Sequence, residues 1–308
     1  MNIRLKGIWA FTKEVFDKFI DDKCPKLGAA LSFYTIFSVA PIIVISISVA
    51  ALIFGREAAR GELISQIQGL VGYDGAKVIQ TALKNAQYTH QSVITILTGF
   101  VALVIGSTVV FVELQDSLNM IWKIKPKPGR NMFKGLIRDR VQSFAMVLGT
   151  GFLLLVSLVV SALISSIDNY ISESYFDIPK FILDFSNIAI SLLITFLLFM
   201  LIFKVLPDVH IKWKHVWVGA LVTAALFVLG KYLIGLYLGT STLSSTYGAA
   251  GSMVVFLLWV YYSAQILFLG AEFTQVYANK YGEGILPTSK FMKYEVEGVI
   301  KQDKKKSG

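Results

Sequence analysis

YGAAGSMVVFLLWVYYSAQILFLGAE, residues Tyr247 to Glu272, carries no formal charge before its final residue. As a helix rising ~1.5 Å per residue, it is long enough to cross a hydrocarbon core of ~30 Å. It is not uniformly apolar. On a helix turning ~100° per residue, Tyr247, Tyr261, Gln265 and Glu272 fall within about 40° of one another. Lipid offers these groups no hydrogen-bond partner, so the seam has to face protein or water. Gly248, Ala249, Ala250, Gly251 and Ser252 at its start let a neighbouring backbone come close. The stretch predicts a membrane helix packed inside a bundle.

The rest of the chain agrees with that reading. Of 308 residues, 55% are hydrophobic and only 16% charged, against ~25% charged in a soluble domain. The charges sit in short blocks between long apolar runs, the pattern of an all-α, polytopic integral membrane protein. A net charge of +9 fits cytoplasmic loops beside anionic lipid and does not call for nucleic acid as a partner. Cys24 is the single cysteine, which excludes an internal disulfide and a multi-cysteine metal site. Residues 1–26 lack the compact apolar core of a cleavable signal, so the first span is expected to act as an uncleaved one.

Taken in order, residues 1–26 form an amphipathic helix on the cytoplasmic face, with an apolar stripe including Ile8, Trp9, Phe11, Val15 and Phe16. Such a helix either lies in the lipid interface or covers the bundle. Residues 27–273 read as a six-helix transmembrane bundle with spans near 27–54, 92–112, 141–167, 185–206, 215–238 and 248–271. Ser32 and Thr35 give the first span a polar face. Pro41 removes a backbone donor near mid-membrane and is the candidate hinge. Residues 55–91 read as two amphipathic helices, either an outer helical cap over the bundle or a surface hairpin. Residues 274–308 read as a basic cytoplasmic tail, expected to be disordered after Tyr281.

LGAALSFYTIFSVAPIIVI (27–45) resembles the opening signature of the YihY/virulence factor BrkB family of bacterial inner-membrane proteins. The stretch 247–273 is similar to that family's closing signature. Leu118 to Trp122, RDRVQSFAMVLGTGFLLLVSL (138–158) and VWVGALVTAALFVLGKYLIGLYLG (216–239) extend the similarity over nearly the whole chain, in order. The resemblance implies six membrane helices in a bacterial plasma membrane. It implies no settled chemistry, although some members carry the name ribonuclease BN.

Charge counting predicts the orientation. With the N-terminus inside, the inner segments hold 23 Lys or Arg and the outer segments 5, leaving Lys231 within span five. That bias puts both termini in the cytoplasm.

Two groups of residues are candidates for chemistry. Lys231 lies about seven residues, ~10 Å, from the outer end of its span. It either snorkels to the interface or serves a site. The hydroxyl-rich loop after it holds Thr240, Ser241, Thr242, Ser244, Ser245 and Thr246, ahead of Tyr247. Together with the helix start beyond, these residues predict an outward-side site for a phosphate or other anion. The second group is Glu113, Asp116 and Glu272 with Gln265: either a proton- or ion-coupling site, or end carboxylates paired with Lys or with Arg138 and Arg140. The three histidines form no metal-ligand pair, and neither a P-loop nor a GxSxG is present. No enzyme activity, cofactor or metal is therefore expected.

These features predict a protein that transports or translocates an amphiphilic, anionic substrate such as an envelope lipid. The alternative is a non-transporting scaffold that docks envelope-assembly proteins, and a membrane-attached ribonuclease is the remote one. A cavity between the seams of spans one and six would favour transport. A dry bundle would favour the scaffold.

Overall fold

The computed structural model describes residues 2–54, 93–128, 180–240, 251–282, 284–288 and 291–294, with isolated positions between 60 and 81 and between 141 and 149. Most of the third span, most of the 55–91 cap, the 241–247 loop and the end of the tail lie outside the described residues. Among the described residues six long helices dominate: α1 Asn2–Asp21, α2 Cys24–Phe54, α3 Val93–Ile121, α4 Lys180–Val205, α5 Trp213–Thr240 and α6 Gly251–Tyr281. Among the described residues, Trp213–Ile234 and Met253–Tyr281 are long and apolar enough to cross a membrane. At 31 residues, α6 is about 46 Å long. It outruns a hydrocarbon core of ~30 Å and continues ten residues past the 271 boundary expected for the last span.

The central position of α6 follows from its small residues. It packs against α1, α2, α3 and α5. Against α5 the fit is reciprocal. Thr274 lies over Gly219, where a Cβ would come 2.9 Å from the Thr274 Cβ, and Thr223 lies over Gly270, where it would come 2.8 Å from the Thr223 Cβ. Each threonine hydroxyl donates to the carbonyl of the glycine one turn earlier in its own helix, at 2.7 Å in both cases. Both hydroxyls are thereby satisfied without a cross-helix partner, and both threonines are fully buried. The pairing of 219 with 274 and 223 with 270 makes the helices antiparallel. Close backbone approach through small residues is how membrane helices associate without a hydrophobic drive between them.

Pro41 behaves similarly. α2 continues through it from Cys24 to Phe54. Its ring seats on Gly106 of α3, at 3.0 Å from where a Cβ would stand. The Val110 amide donates to Ser38 Oγ at 3.2 Å one turn away.

The densest core is at one end of the bundle, around Leu118, Ile121, Trp122, Phe203, Leu206, Val216 and Phe268. Away from it, Phe33, Phe37, Ile105, Leu193, Leu229 and Leu233 are exposed on the helices, the surface expected of helices whose solvent is lipid. α1 divides its apolar residues between two faces. Val15 is buried and Phe11 meets Phe273 edge-on at 5.1 Å, while Trp9, Phe16 and Ile20 stay exposed.

The described chain is mostly helical, as the all-α reading expected, and adds two short ribbons: β1 Ile124–Pro126 pairs antiparallel with β4 Phe291–Lys293, and β2 Val209–His210 with β3 Leu286–Pro287. The expected tail needs correction, since Ile285 and Phe291 after Tyr281 are buried. Polarity suggested disorder there, yet the Ile285 and Phe291 side chains find the core end and the backbone pairs with two interhelical loops. Gly284, at φ +74°, makes the reversal that allows it, its amide donating to the Ala278 carbonyl.

Candidate functional site

The turn between α1 and α2 creates a polar site in the densest part of the core. Asp22 N bonds back to Lys18 O at 2.9 Å and Lys23 N to Ile20 O at 3.0 Å. Lys23 then takes φ +55°, a left-handed conformation that lets α2 start at Cys24. The result turns Asp22 and Cys24 inward towards Glu272 of α6, which is fully buried. Cys24 Sγ donates to Glu272 Oε1 at 3.7 Å. Lys123, just past α3 and itself at φ +57°, forms an ion pair with Asp22. Lys18 Nζ donates to Gln275 Oε1 at 3.0 Å, and Gln275 Nε2 donates to Ile121 O at 2.7 Å. The Trp122 indole donates to Ala271 O at 3.2 Å. One layer thus ties α1, α2, α3 and α6 around two carboxylates and two ammonium groups. Asp22 Oδ2 and Glu272 Oε2 stay buried without a hydrogen-bond partner among the described residues.

Burial first, and then the Glu272 and Asp22 carboxylates, push the Cys24 thiol well above its usual range. A buried, protonated thiol is a poor nucleophile. With one cysteine in the chain, a maleimide should leave the folded protein unlabelled and attach one equivalent after denaturation. Prompt labelling of the folded protein would mean that this layer opens to water.

A second buried polar group stands beside it. Asp208 Oδ2 accepts from Gln115 Nε2 at 3.0 Å and from Asn119 Nδ2 at 3.2 Å, and the Asp208 amide donates to Asn119 Oδ1 at 3.0 Å. Asp208 was not among the expected site residues; the i, i+4 spacing of Gln115 and Asn119 on α3 was the available signal.

The expected residues are only partly brought together. Glu272 meets Asp22 and Cys24; Glu113 is half-buried with Asp116 as its charged neighbour. The carboxylate acting on Glu272 is thus Asp22 of the α1–α2 turn, and the one acting on Glu113 is Asp116 on its own helix. Arg138 and Arg140 lie outside the described residues. Along the seam, the Ser32 hydroxyl donates to Gly28 O at 2.6 Å and the Thr35 hydroxyl to Leu31 O at 2.7 Å. Both are satisfied within α2. Gln265 is not. Its side-chain amide is pressed onto Gly28 of α2, and both its Nε2 and Oε1 are buried without a partner among the described residues. Tyr261 is half-buried one turn away.

Lys231 is half-buried, with Nζ 5.7 Å from the Tyr232 ring centroid. Thr240 closes α5, and Ser241, Thr242, Ser244, Ser245, Thr246 and Tyr247 lie outside the described residues. Among the described residues, no group of three His, Cys, Asp or Glu is arranged to hold a metal ion.

The virulence factor BrkB family model matches residues 15–295. A UPF0761 membrane protein of Azotobacter vinelandii is 28% identical over 268 residues, covering 85% of this chain and 62% of the relative. A UPF0761 membrane protein of Legionella pneumophila is 28% identical over 276 residues, with 87% and 62% covered, and one of Pseudomonas aeruginosa 26% identical over 263 residues, with 85% and 61%. The chain thus spans a little over three-fifths of the length of these relatives. No solved structure matches it. The match takes in the α1–α2 turn, the seam of α6 and the paired strands alike, and this chain is a membrane protein of the virulence factor BrkB family.

Proposed function

We propose that this chain is a six-span protein of the bacterial cytoplasmic membrane, with both termini inside, that moves an anionic amphiphile such as an envelope lipid across the bilayer. The observation that carries the reading is the Gln265 amide, buried against Gly28 with neither polar atom bonded among the described residues. Leaving such a group unsatisfied costs ~1–3 kcal/mol. A seam that parts between α2 and α6 returns that energy by giving the amide water or a head group. The closed arrangement is then one of two states, with Pro41 of α2, on the same helix as Gly28, as the hinge. The distribution of Lys and Arg supports the orientation. Glu272 with Asp22 is the pair best suited to take up a proton as the seam moves.

The scaffold reading has its own support. Gly28 and Gln265 are in close contact, and α5 and α6 interlock through their glycines, the tight packing that a scaffold would show. Translocation separates the two. The protein is reconstituted into phosphatidylcholine vesicles containing fluorescent phosphatidylglycerol, with and without a pH gradient, and an impermeant quencher is added. Transport predicts that inner-leaflet label becomes quenchable in wild-type vesicles and not in Gln265→Met vesicles. A scaffold leaves the inner leaflet protected in every sample.

A further inference from the structure

At the junction of α4, the β2–β3 ribbon, the start of α5 and the end of α6 lies a cavity of about 310 Å³. It is lined by Lys204, His210, Ile211, Lys212, His215, Gly284 and Leu286. Two lysines and two histidines line it, and among the described lining residues there is no Asp or Glu. Asp208, two residues before His210, has its Oδ2 turned away to Gln115 and Asn119. α5 begins at Trp213, so its positive dipole end lies beside Lys212 and His215. We infer that this cavity binds the phosphate ester of an anionic amphiphile.

The walls are fixed before any ligand arrives. Lys204 Nζ donates to Ile211 O at 2.6 Å and lies 5.1 Å from the Trp213 ring centroid. β2 pairs with β3, and the Thr288 amide donates to Asp208 O at 3.0 Å, closing the loop that carries His210. His215 is buried with its ring 5.8 Å from that of Tyr277, and Gly282 leaves room for it where a Cβ would collide with the imidazole. His210 and Lys212 are exposed and form the accessible side. The volume equals about ten waters at ~30 Å³ each, enough for a phosphoglycerol group.

Position argues for an amphiphile as the source of the phosphate. Trp213 and Trp217 are 59% and 53% exposed at the start of a helix able to cross a membrane. Tryptophans so placed mark the head-group level of a bilayer. The cavity therefore opens where phosphates of the inner leaflet lie, given the orientation proposed above. This inference rests on that membrane reading and adds a binding site on the inner side, at the opposite end of α5 from Lys231.

The test uses the full chain in detergent micelles and native mass analysis. Phosphatidylglycerol, phosphatidylcholine, glycerol 3-phosphate and inorganic phosphate are each titrated into wild type and into the His210→Ala/Lys212→Ala and Lys212→Arg variants. Both substituted side chains are exposed, so the variants should fold; an unchanged melting profile checks this. The expected result is phosphatidylglycerol retained over phosphatidylcholine, with roughly tenfold weaker binding in the double alanine variant and near wild-type binding in Lys212→Arg. Binding of glycerol 3-phosphate without retained lipid, lost in the same variant, would support the phosphate site and assign it to a soluble ester. Equal retention of both lipids, or binding unaffected by the double variant, overturns the inference. Vesicle translocation is read separately: a selective cavity without lipid movement leaves this site standing and removes the transport reading. Movement undiminished in the double variant, together with unaffected binding, does the reverse.

Discussion

Lys123→Met is expected to lower the thermal unfolding midpoint in detergent by roughly 5–10 °C, the equivalent of about 3 kcal/mol. Asp22 is 5% exposed at its side chain and Lys123 is 32% exposed. Removal of the ammonium leaves a buried carboxylate beside Glu272 with little water to screen it. Losing one partner of a buried pair costs ~3–5 kcal/mol, much of it the penalty on the charge left behind. The partial exposure of Lys123 puts this case at the low end. Rescue is expected as well. Asp22→Asn in the Lys123→Met background removes the stranded charge, and the double variant should melt above the single. If the two melt together, the ion pair is not what holds the α1–α2 turn in the core.

Gly270→Ala is expected to cost ~1–3 kcal/mol by overpacking, although alanine is the better helix former. The added methyl would occupy the space of the Thr223 side chain, which is fully buried and held by its bond to Gly219 O. Thr223→Ala empties that space. The Gly270→Ala/Thr223→Ala protein should therefore melt above Gly270→Ala alone, with a coupling of roughly 1–2 kcal/mol. Strict additivity would show that α5 and α6 do not interlock at this level. Gly219 and Thr274 offer the same cycle one contact further along.

Long apolar runs made the described helices legible, because charges, Lys231 apart, interrupt such runs only where the chain leaves them. The seam on α6 was legible for the same reason, since Tyr261, Gln265 and Glu272 stand out against an apolar background. What the seam faces was not. Whether Glu272 meets Glu113 or Asp22 depends on which face α1 and α3 turn towards α6. The left-handed residues Lys23 and Lys123 set that, and nothing in their identity signals a positive φ. The strands were missed because segments of two or three residues have no period to detect, and because Phe291 and Ile285 sit in a stretch whose average is polar. The basic cavity takes its lysines and histidines from one stretch, Lys204 to His215, but it closes only where Gly284 and Leu286 fold back onto that stretch, and nothing local announces that return. The Gly–Thr interlock was within reach: GxxxT occurs at 219–223 and again at 270–274.

The unfolding midpoint of Gln265→Met in detergent tests the central claim most directly. Methionine matches glutamine in length and brings no polar atoms to Gly28. If the Gln265 amide is an unsatisfied group kept for an open state, its removal should raise the midpoint by several degrees, an expected gain of ~1–3 kcal/mol, while abolishing lipid movement in vesicles. A lower midpoint would mean that the amide is bonded in the resting protein, and the seam would then be ordinary packing and not a pathway.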